Sequence, residues 1–372
     1  MEHQKITIRQ IELYRVSIPL RKPFVISLGT IKEAANVVVV IRTDQGITGM
    51  GECSPFATIN GENQDTCMVV GQFLATGLIG KNGANIEECI HLMDKTIYGN
   101  SSIKSAFDMA LHDVVAQNLK VPLYKLLGGN LLKALVTDYT VSLGEISQMV
   151  EDALQIKQNG FTVIKVKLGE DPDKDVERIR KIRREIGKKI KLRVDANQGW
   201  TPEEAIKVLN ALKDQNIQYC EEPIPRWDFM HLARVRRRSP IPIMADESCF
   251  DHHDAERLIG LKACDLFNLK LGKSGGLWKA GQIVTLASKA KMNMQVGGFM
   301  ESRLGMTANA HLALSNRSIL FCDFDTPLMF TSDYVKGGIQ YQPGGKILME
   351  ERPGLGAWIQ EDQLRKFQQV VI

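Results

Sequence analysis

Between residues 160 and 325 one event recurs: a short apolar or β-branched run ends on a charged residue. Lys167 in "FTVIKVKLG", Asp195 in "IKLRVDANQG", Glu221 in "IQYCEEP", Asp246 in "IPIMADES" and Lys270 in "DLFNLKLG" follow at intervals of 28, 26, 25 and 24 residues. Asp323 in "SILFCDFDTP" comes 53 residues later, which is two intervals, with a strand ending at Val296-Gly297-Gly298 between them. Helical stretches such as "PDKDVERIRKIRREIG" and "PEEAIKVLNALKDQ" separate the runs. Alternating strand and helix predicts a parallel sheet with crossover helices. A barrel of eight βα units in about 250 residues takes about 31 residues per unit, fewer where loops are short. The spacing therefore predicts a (β/α)8-type barrel over roughly residues 131–330. Six strand ends would deliver charged groups to its C-terminal mouth.

The rest of the chain has a different texture. Residues 5–52 alternate β-rich runs with a turn at Asp44-Gln45-Gly46 and read as an antiparallel meander. Residues 62–128 carry apolar residues at helical spacing, as in "SIKSAFDMALHDVVAQNL", and "LLGGN" closes them. An α+β capping domain, residues 1–130 with the tail 331–372, is thus expected beside the barrel. A chain of 372 residues with 44% hydrophobic content can bury a core in each.

The net charge of +4 argues for neither nucleic acid nor a membrane surface as partner. The basic run Arg234-Val235-Arg236-Arg237-Arg238 is expected at a helix end, where the dipole favours it. The seven cysteines are scattered, odd in number and never spaced C-x-x-C, which suits reduced thiols in a cytoplasmic protein. The first ten residues are polar and no apolar run reaches 18, so neither a leader nor a membrane span is expected. Homo-oligomerisation is compatible with the sequence, which carries no signal for it. Three motifs fail on inspection. Ser54 replaces the third glycine of a dinucleotide fingerprint, and Phe267 replaces the first glycine of a phosphate loop ending at Gly272-Lys273-Ser274. His252-His253 reads as an exposed loop pair.

Asp195, Glu221 and Asp246 are three carboxylates on consecutive strands. Converging alone they would repel and raise one another's pKa. A hard dication resolves the conflict, and an all-oxygen set without His or Cys points to Mg²⁺. Asn197, Glu222 and Glu247 follow them as candidate supporting partners. Lys165 and Lys167 share a face of the preceding strand. Lys167 and Lys270 would flank the metal from opposite sides. A neighbouring ammonium and a metal both lower a lysine's pKa, so each lysine could take a proton from carbon. Removal from one face and return from the other inverts a stereocentre. Asp323 and Asp325, at i and i+2, make a site for a cation.

The series "KVK … DAN … EEP … ADES … NLKLGKSGG" resembles the enolase superfamily over essentially the whole chain. More narrowly it is similar to the muconate-lactonising subgroup and its dipeptide epimerases. The resemblance implies a modified TIM barrel under an N-terminal cap. It implies Lys167 and Lys270 as the acid/base pair, Asp195, Glu221 and Asp246 as Mg²⁺ ligands, and Lys165 as support for the carboxylate and base. It further implies that Asp323 and Asp325 hold the α-ammonium of a dipeptide, and that Thr140, Gly298, Phe299 and Met300 contact the dipeptide. A lactonising cycloisomerase or an o-succinylbenzoate synthase-like enzyme is the same-fold rival, but such substrates lack the ammonium.

In family members that act on Ala-Glu, an arginine in the capping loop after Pro23-Phe24 pairs with the glutamate. The matching position is Gly29, Ile59 is an apolar candidate nearby, and Lys32 is an example of a more distant alternative cation. The expected substrate is therefore an Ala-Xaa dipeptide with a small or hydrophobic second residue, epimerised at the C-terminal α-carbon. An L-Ala-D/L-Glu epimerase is the alternative.

Overall fold

The computed structural model describes residues 5–130 and 133–372. Three antiparallel strands open the chain: β1 (Ile8–Ile26), β2 (Gly29–Thr43) and β3 (Thr48–Cys53). The run "NVVVVIR" in β2 is apolar on both faces because both are covered. Val37, Val39 and Ile41 pack toward the helices α1 (Gln64–Leu78), α2 (Ile86–Thr96) and α3 (Ser101–Asn118), while Val38 and Val40 join the core shared with the barrel. A short α4 (Leu123–Leu126) follows. The expected boundary at 130/131 falls against residues 131–132, which lie outside the described ones.

Strand β4 (Leu135–Val136) precedes eight parallel strands: β5 (Tyr139–Val141), β6 (Val163–Lys167), β7 (Lys191–Asp195), β8 (Ile217–Glu221), β9 (Ile243–Ala245), β10 (Leu266–Leu269), β11 (Asn293–Val296) and β12 (Ile319–Cys322). They lie side by side in chain order in one sheet. A parallel bridge between Thr137 and Cys322, with the Phe324 N–H donating to Thr137 Oγ1 at 2.8 Å, brings the two ends of the sheet together. The crossovers are α5 (Ile146–Gln158), α6 (Pro172–Ile186), α7 (Pro202–Ala211), α8 (Phe229–Arg238), α9 (His252–Leu261), the pair α10 (Leu271–Ser274) and α11 (Leu277–Lys289), and α12 (Arg303–Ser315). Helices α6 and α7 start where Asp171 and Thr201 cap them ahead of a first-turn proline.

The eighth unit departs from the regular barrel. After β12 comes only the four-residue α13 (Thr326–Met329) before a tail of β13 (Val335–Gly337), β14 (Ile339–Gln342), β15 (Lys346–Met349), β16 (Ala357–Ile359), α14 (Glu361–Leu364) and β17 (Gln369–Val371). The tail serves both halves: β17 extends the first sheet beside β1, whereas β15 pairs with β4. The basic run closes α8, with Arg234 and Arg236 paired to Glu203 and Asp265. His252 and His253 open α9 rather than a loop. No described helix is long and apolar enough to cross a membrane.

Buried carboxylates bind the cap to the barrel by capping barrel helices. Glu52 accepts from the Ser302 and Gly305 amides at the start of α12 (3.0 and 2.9 Å), and Asp108 accepts from the Leu277 and Trp278 amides at the start of α11. Each offsets the positive end of a helix dipole. His311 makes a third tie: its Nδ1 accepts from the Tyr124 amide (3.0 Å) and its Nε2 donates to the Leu355 carbonyl (2.9 Å). Burial lowers its pKa from 6.5 to about 4. The folded protein thus keeps His311 neutral while the unfolded chain protonates below about pH 6.5, so this contribution to stability is lost as pH falls from 6.5 toward 4. Between pH 7.5 and 4.5 the wild type should lose about 2 kcal/mol relative to His311→Gln, measured by urea unfolding at both pH values. A constant difference between the two proteins would show that His311 does not titrate this way.

Candidate active site

Register, not sequence distance, sets the level of each side chain. Lys167 on β6 pairs with Asp195 on β7, which pairs with Glu221 on β8. Asp246 follows β9 directly and Lys270 follows β10. The two lysines thus stand on strands separated by the three that carry the carboxylates. The backbone turns sharply just past the carboxylates: Asn197, Gln198 and Glu222 all adopt positive φ (40°, 70° and 34°). Such conformations cost energy in non-glycine residues and cluster at functional sites. Gly169, at φ 97°, lets the chain after β6 lie on the β7 loop, where a Cβ would stand 2.2 Å from the Ala196 carbonyl oxygen.

Buried cations and carboxylates interlock here. Lys165 Nζ lies 2.8 Å from Glu221, 2.9 Å from Asp323 and 3.1 Å from Asp195. Lys167 Nζ donates to Asp195 (2.6 Å) and Asn197 (2.9 Å). Lys270 stands 2.7 Å from Asp246 Oδ2 and Lys273 2.6 Å from Oδ1. Aromatic rings back both flanking lysines, Phe24 at 5.9 Å from Lys167 and Phe299 at 4.8 Å from Lys270.

Burial drives the carboxyl of Asp195 up, but Lys167 and Lys165 outweigh it and hold it at about 2. Asp246 is held well below the carboxylate range by Lys270 and Lys273 against its burial. Burial and the charge of Asp195 push Glu221 the other way, well above its ordinary value, despite Lys165. Burial and Glu247 bring Glu222 to about 8. With the protein groups alone Lys165 and Lys270 are raised, and a dication held by the same carboxylates would oppose that shift. Burial alone would neutralise them, yet the carboxylates of Asp246 and Glu221 raise Lys270, and those of Asp323, Glu221 and Asp195 raise Lys165.

The donor set fits a hard dication. Eight buried carboxylates (Asp138, Asp195, Glu221, Glu222, Asp246, Glu247, Asp323, Asp325) face five buried cations (Lys165, Lys167, Arg193, Lys270, Lys273). Both Asp246 oxygens lack a hydrogen-bond donor although two ammonium groups are near. All candidate ligands are oxygen. A second acidic cluster, Asp138, Asp323 and Asp325, has oxygens within 4.8 Å of one another. Its members are already engaged: Asp138 by Arg193 (2.7 Å), Asp323 by Lys165, and Asp325 by the Thr140 amide (2.6 Å). Burial and Asp323 bring Asp325 to about 7.

Thr140, Lys165, Lys167, Lys270, Gly298, Phe299, Met300, Asp323 and Asp325 line one cavity of about 40 Å³, closed from the cap side by Phe24, Ile26, Phe56 and Ile59. Asp195, Glu221 and Asp246 lie beneath its lysines. Gly29 does not line it. Pairing of Ile26 with Gly29 puts the glycine at the exposed tip of the β1–β2 hairpin, at φ 138°, and alternation along β1 turns Phe24 and Ile26 inward. Lys32 is exposed and does not line the cavity.

Sequence reasoning passed over a deeper layer: Asp138, Arg193, Tyr219, Asn268 and Gln295. Asn268 donates to Glu221 (2.8 Å), and Tyr219 donates to Gln295. The signal was present, since Asp138, Lys165, Arg193, Tyr219 and Asn268 each stand two residues before a residue at the mouth. Lys273, set aside with the failed phosphate loop, is fully buried and donates to the Asp246, Cys249 and Asn268 carbonyls.

Comparison with known proteins places this arrangement. Residues 8–128 match the mandelate racemase/muconate lactonizing enzyme N-terminal domain, and residues 148–363 match the enolase C-terminal domain-like family. A D-Ala-D/L-Ala epimerase of Cytophaga hutchinsonii is 54% identical over 98% of this chain and 99% of its own. A crystal structure of a dipeptide epimerase from that organism, complexed with Mg and D-Ala-L-Val, superposes with a TM-score of 0.97 over 98% of this chain and all of its own. The L-Ala-D/L-Glu epimerase of Bacillus subtilis is 40% identical over 93% of this chain and 95% of its own. With both halves matched and such relatives spanning nearly its full length, the chain belongs to the dipeptide epimerase family, in the muconate-lactonising subgroup of the enolase superfamily.

Proposed function

We propose that this protein is an Mg²⁺-dependent epimerase that inverts the C-terminal α-carbon of Ala-Xaa dipeptides with a small or hydrophobic second residue. The observation that carries this is the placement of Lys167 and Lys270 on either side of three buried carboxylates. Asp195, Glu221 and Asp246 would hold Mg²⁺, which supplies positive charge to a substrate carboxylate as its α-proton leaves. Lys167 takes or returns that proton on one face and Lys270 on the other. Lys165 bridges Asp195, Glu221 and Asp323 with its one charge and so keeps the carboxylate set compact. Asp323 and Asp325 accept the substrate ammonium beside Thr140, and their charge is wasted on a substrate without one. Residues 1–130 with the tail 331–372 act as the cap, and 131–330 as the catalytic barrel. Seven free, buried cysteines suit a reducing cytoplasm.

Side-chain preference follows from the wall. Phe24, Ile26, Phe56 and Ile59 are apolar, and the positive charges lining the cavity among the described residues are the three lysines already facing carboxylates. A glutamate side chain would be desolvated without a partner, at a cost of roughly 2 kcal/mol or more. Ala-Ala and Ala-Val should therefore exceed Ala-Glu in kcat/KM by about tenfold or more. A dipeptide library in D₂O read by mass, followed by kcat/KM for these three, decides it. A clear preference for Ala-Glu would sink the assignment.

A further inference from the structure

The cavity, at about 40 Å³, has room for a few waters at about 10–15 Å³ each and is far smaller than an open ligand pocket of about 300–1,000 Å³. A dipeptide can enter only if the segment above it moves. Part of that segment is the loop between β3 and α1, residues 54–63, which presents Phe56 and Ile59 to the cavity. Its ties to the barrel are few. Ser54 Oγ accepts from the Met300 amide (3.0 Å), Phe56 packs on Phe299 with centroids 5.7 Å apart, and Asn60 Nδ2 reaches the Gly272 carbonyl at a long 3.3 Å. The charged tie comes from Arg226, whose Nη1 donates to the Ile59 carbonyl. Arg226 lies on the loop after β8, and its own amide donates to Gln198 Oε1 (3.1 Å) on the loop after β7. Its guanidinium lies 5.8 Å from the Phe250 ring on the loop after β9. Gln198 is held in its left-handed conformation by the hydrogen bond its backbone N–H donates to the Glu222 carbonyl (2.8 Å). Three barrel loops thus meet at Arg226, which in turn bonds the lid at Ile59.

We propose that Arg226 is the latch of this lid, a positioning residue that fixes Ile59 over the site and so limits the size of the second side chain admitted. The size-selection part rests on the dipeptide reading above. Holding the Ile59 carbonyl toward the barrel loops keeps Ile59 buried at 4% exposure while its neighbours Ala57 and Thr58 are exposed. An arginine donor makes a stronger bond to a carbonyl than a neutral group would.

The test is hydrogen exchange of the free enzyme together with kcat and KM for Ala-Ala, Ala-Val and Ala-Phe, in wild type, Arg226→Met and Arg226→Lys. Arg226→Met should speed exchange within residues 54–63 by about tenfold or more, with the barrel strands unchanged. It should raise KM for Ala-Ala about tenfold with kcat within about threefold, and shrink the preference for Ala-Ala over Ala-Phe. Arg226→Lys should fall between the two. Unchanged exchange and constants would overturn the latch. So would faster exchange throughout the barrel with equal losses on all three substrates, which marks a merely stabilising residue. If the wild type turned over no dipeptide, the functional reading would fail and exchange alone would decide the latch.

Discussion

Lys270→Ala should abolish epimerisation, by about 10³-fold or more in kcat, while leaving the enzyme able to exchange the α-proton of one epimer. The asymmetry follows from the geometry. Lys167, between Asp195 and Asn197 and against Phe24, still addresses one face of the α-carbon. With no group on the far face to deliver a proton, each abstraction returns to the same configuration. In D₂O one epimer should therefore gain deuterium without inversion. Lys167→Ala should give the mirror result through Lys270, which sits between Asp246 and Phe299. Polarimetry paired with mass or NMR detection of deuterium separates the outcomes. Full epimerase activity in either variant would rule out the two-base scheme.

Stripping the enzyme with a chelator should abolish both inversion and exchange, and added Mg²⁺ should restore both. Glu221 carries the reason. Burial and the charge of Asp195 push its carboxyl well above its ordinary value, so the protein alone does not stabilise this set as three carboxylates. A dication among the oxygens removes that repulsion, and the gain should appear as stability as well as activity. At a free Mg²⁺ concentration of 100 Kd the folded state gains about 2.7 kcal/mol. Calorimetry should therefore show Tm rising with Mg²⁺ in the wild type and much less in Asp246→Asn. Activity that survives chelation, or a Tm indifferent to Mg²⁺, would exclude these residues as its site.

The barrel and the level of its charged residues were open to inspection because parallel βα repetition leaves little freedom. Successive crossovers of 24–28 residues return each strand in the same direction, so every strand end comes to one mouth. Period-2 alternation then decides which residues face inward, which is why Lys165 joins Lys167 on one side of β6. The same rule, applied one step deeper, would have found Arg193, Tyr219 and Asn268. They were overlooked because they stand inside apolar runs rather than at the ends. Asp323-Phe324-Asp325 was equally legible, since extended chain at a strand end puts i and i+2 on one face.

What the sequence determined by itself, then, is what depends on local periodicity: strands, crossover helices, the mouth and the order of its charges. Contacts between segments distant in sequence decided the rest. Whether Gly29 or Ile26 meets the substrate depends on where the β1–β2 hairpin turns and how it lies on the barrel, and no pattern within residues 20–32 reports that. The direction of the lysine shifts depends on how many carboxylates surround each ammonium, a property of five strands at once. Lys273 looked like the end of a failed phosphate loop until its ammonium was seen among three carbonyls and Asp246. Arg226 sits in an ordinary polar loop, and only the folded chain brings it under Ile59, 167 residues away. Short-range sterics and alternation write themselves into sequence, whereas Coulomb sums and the closure of a lid exist only once the segments have met.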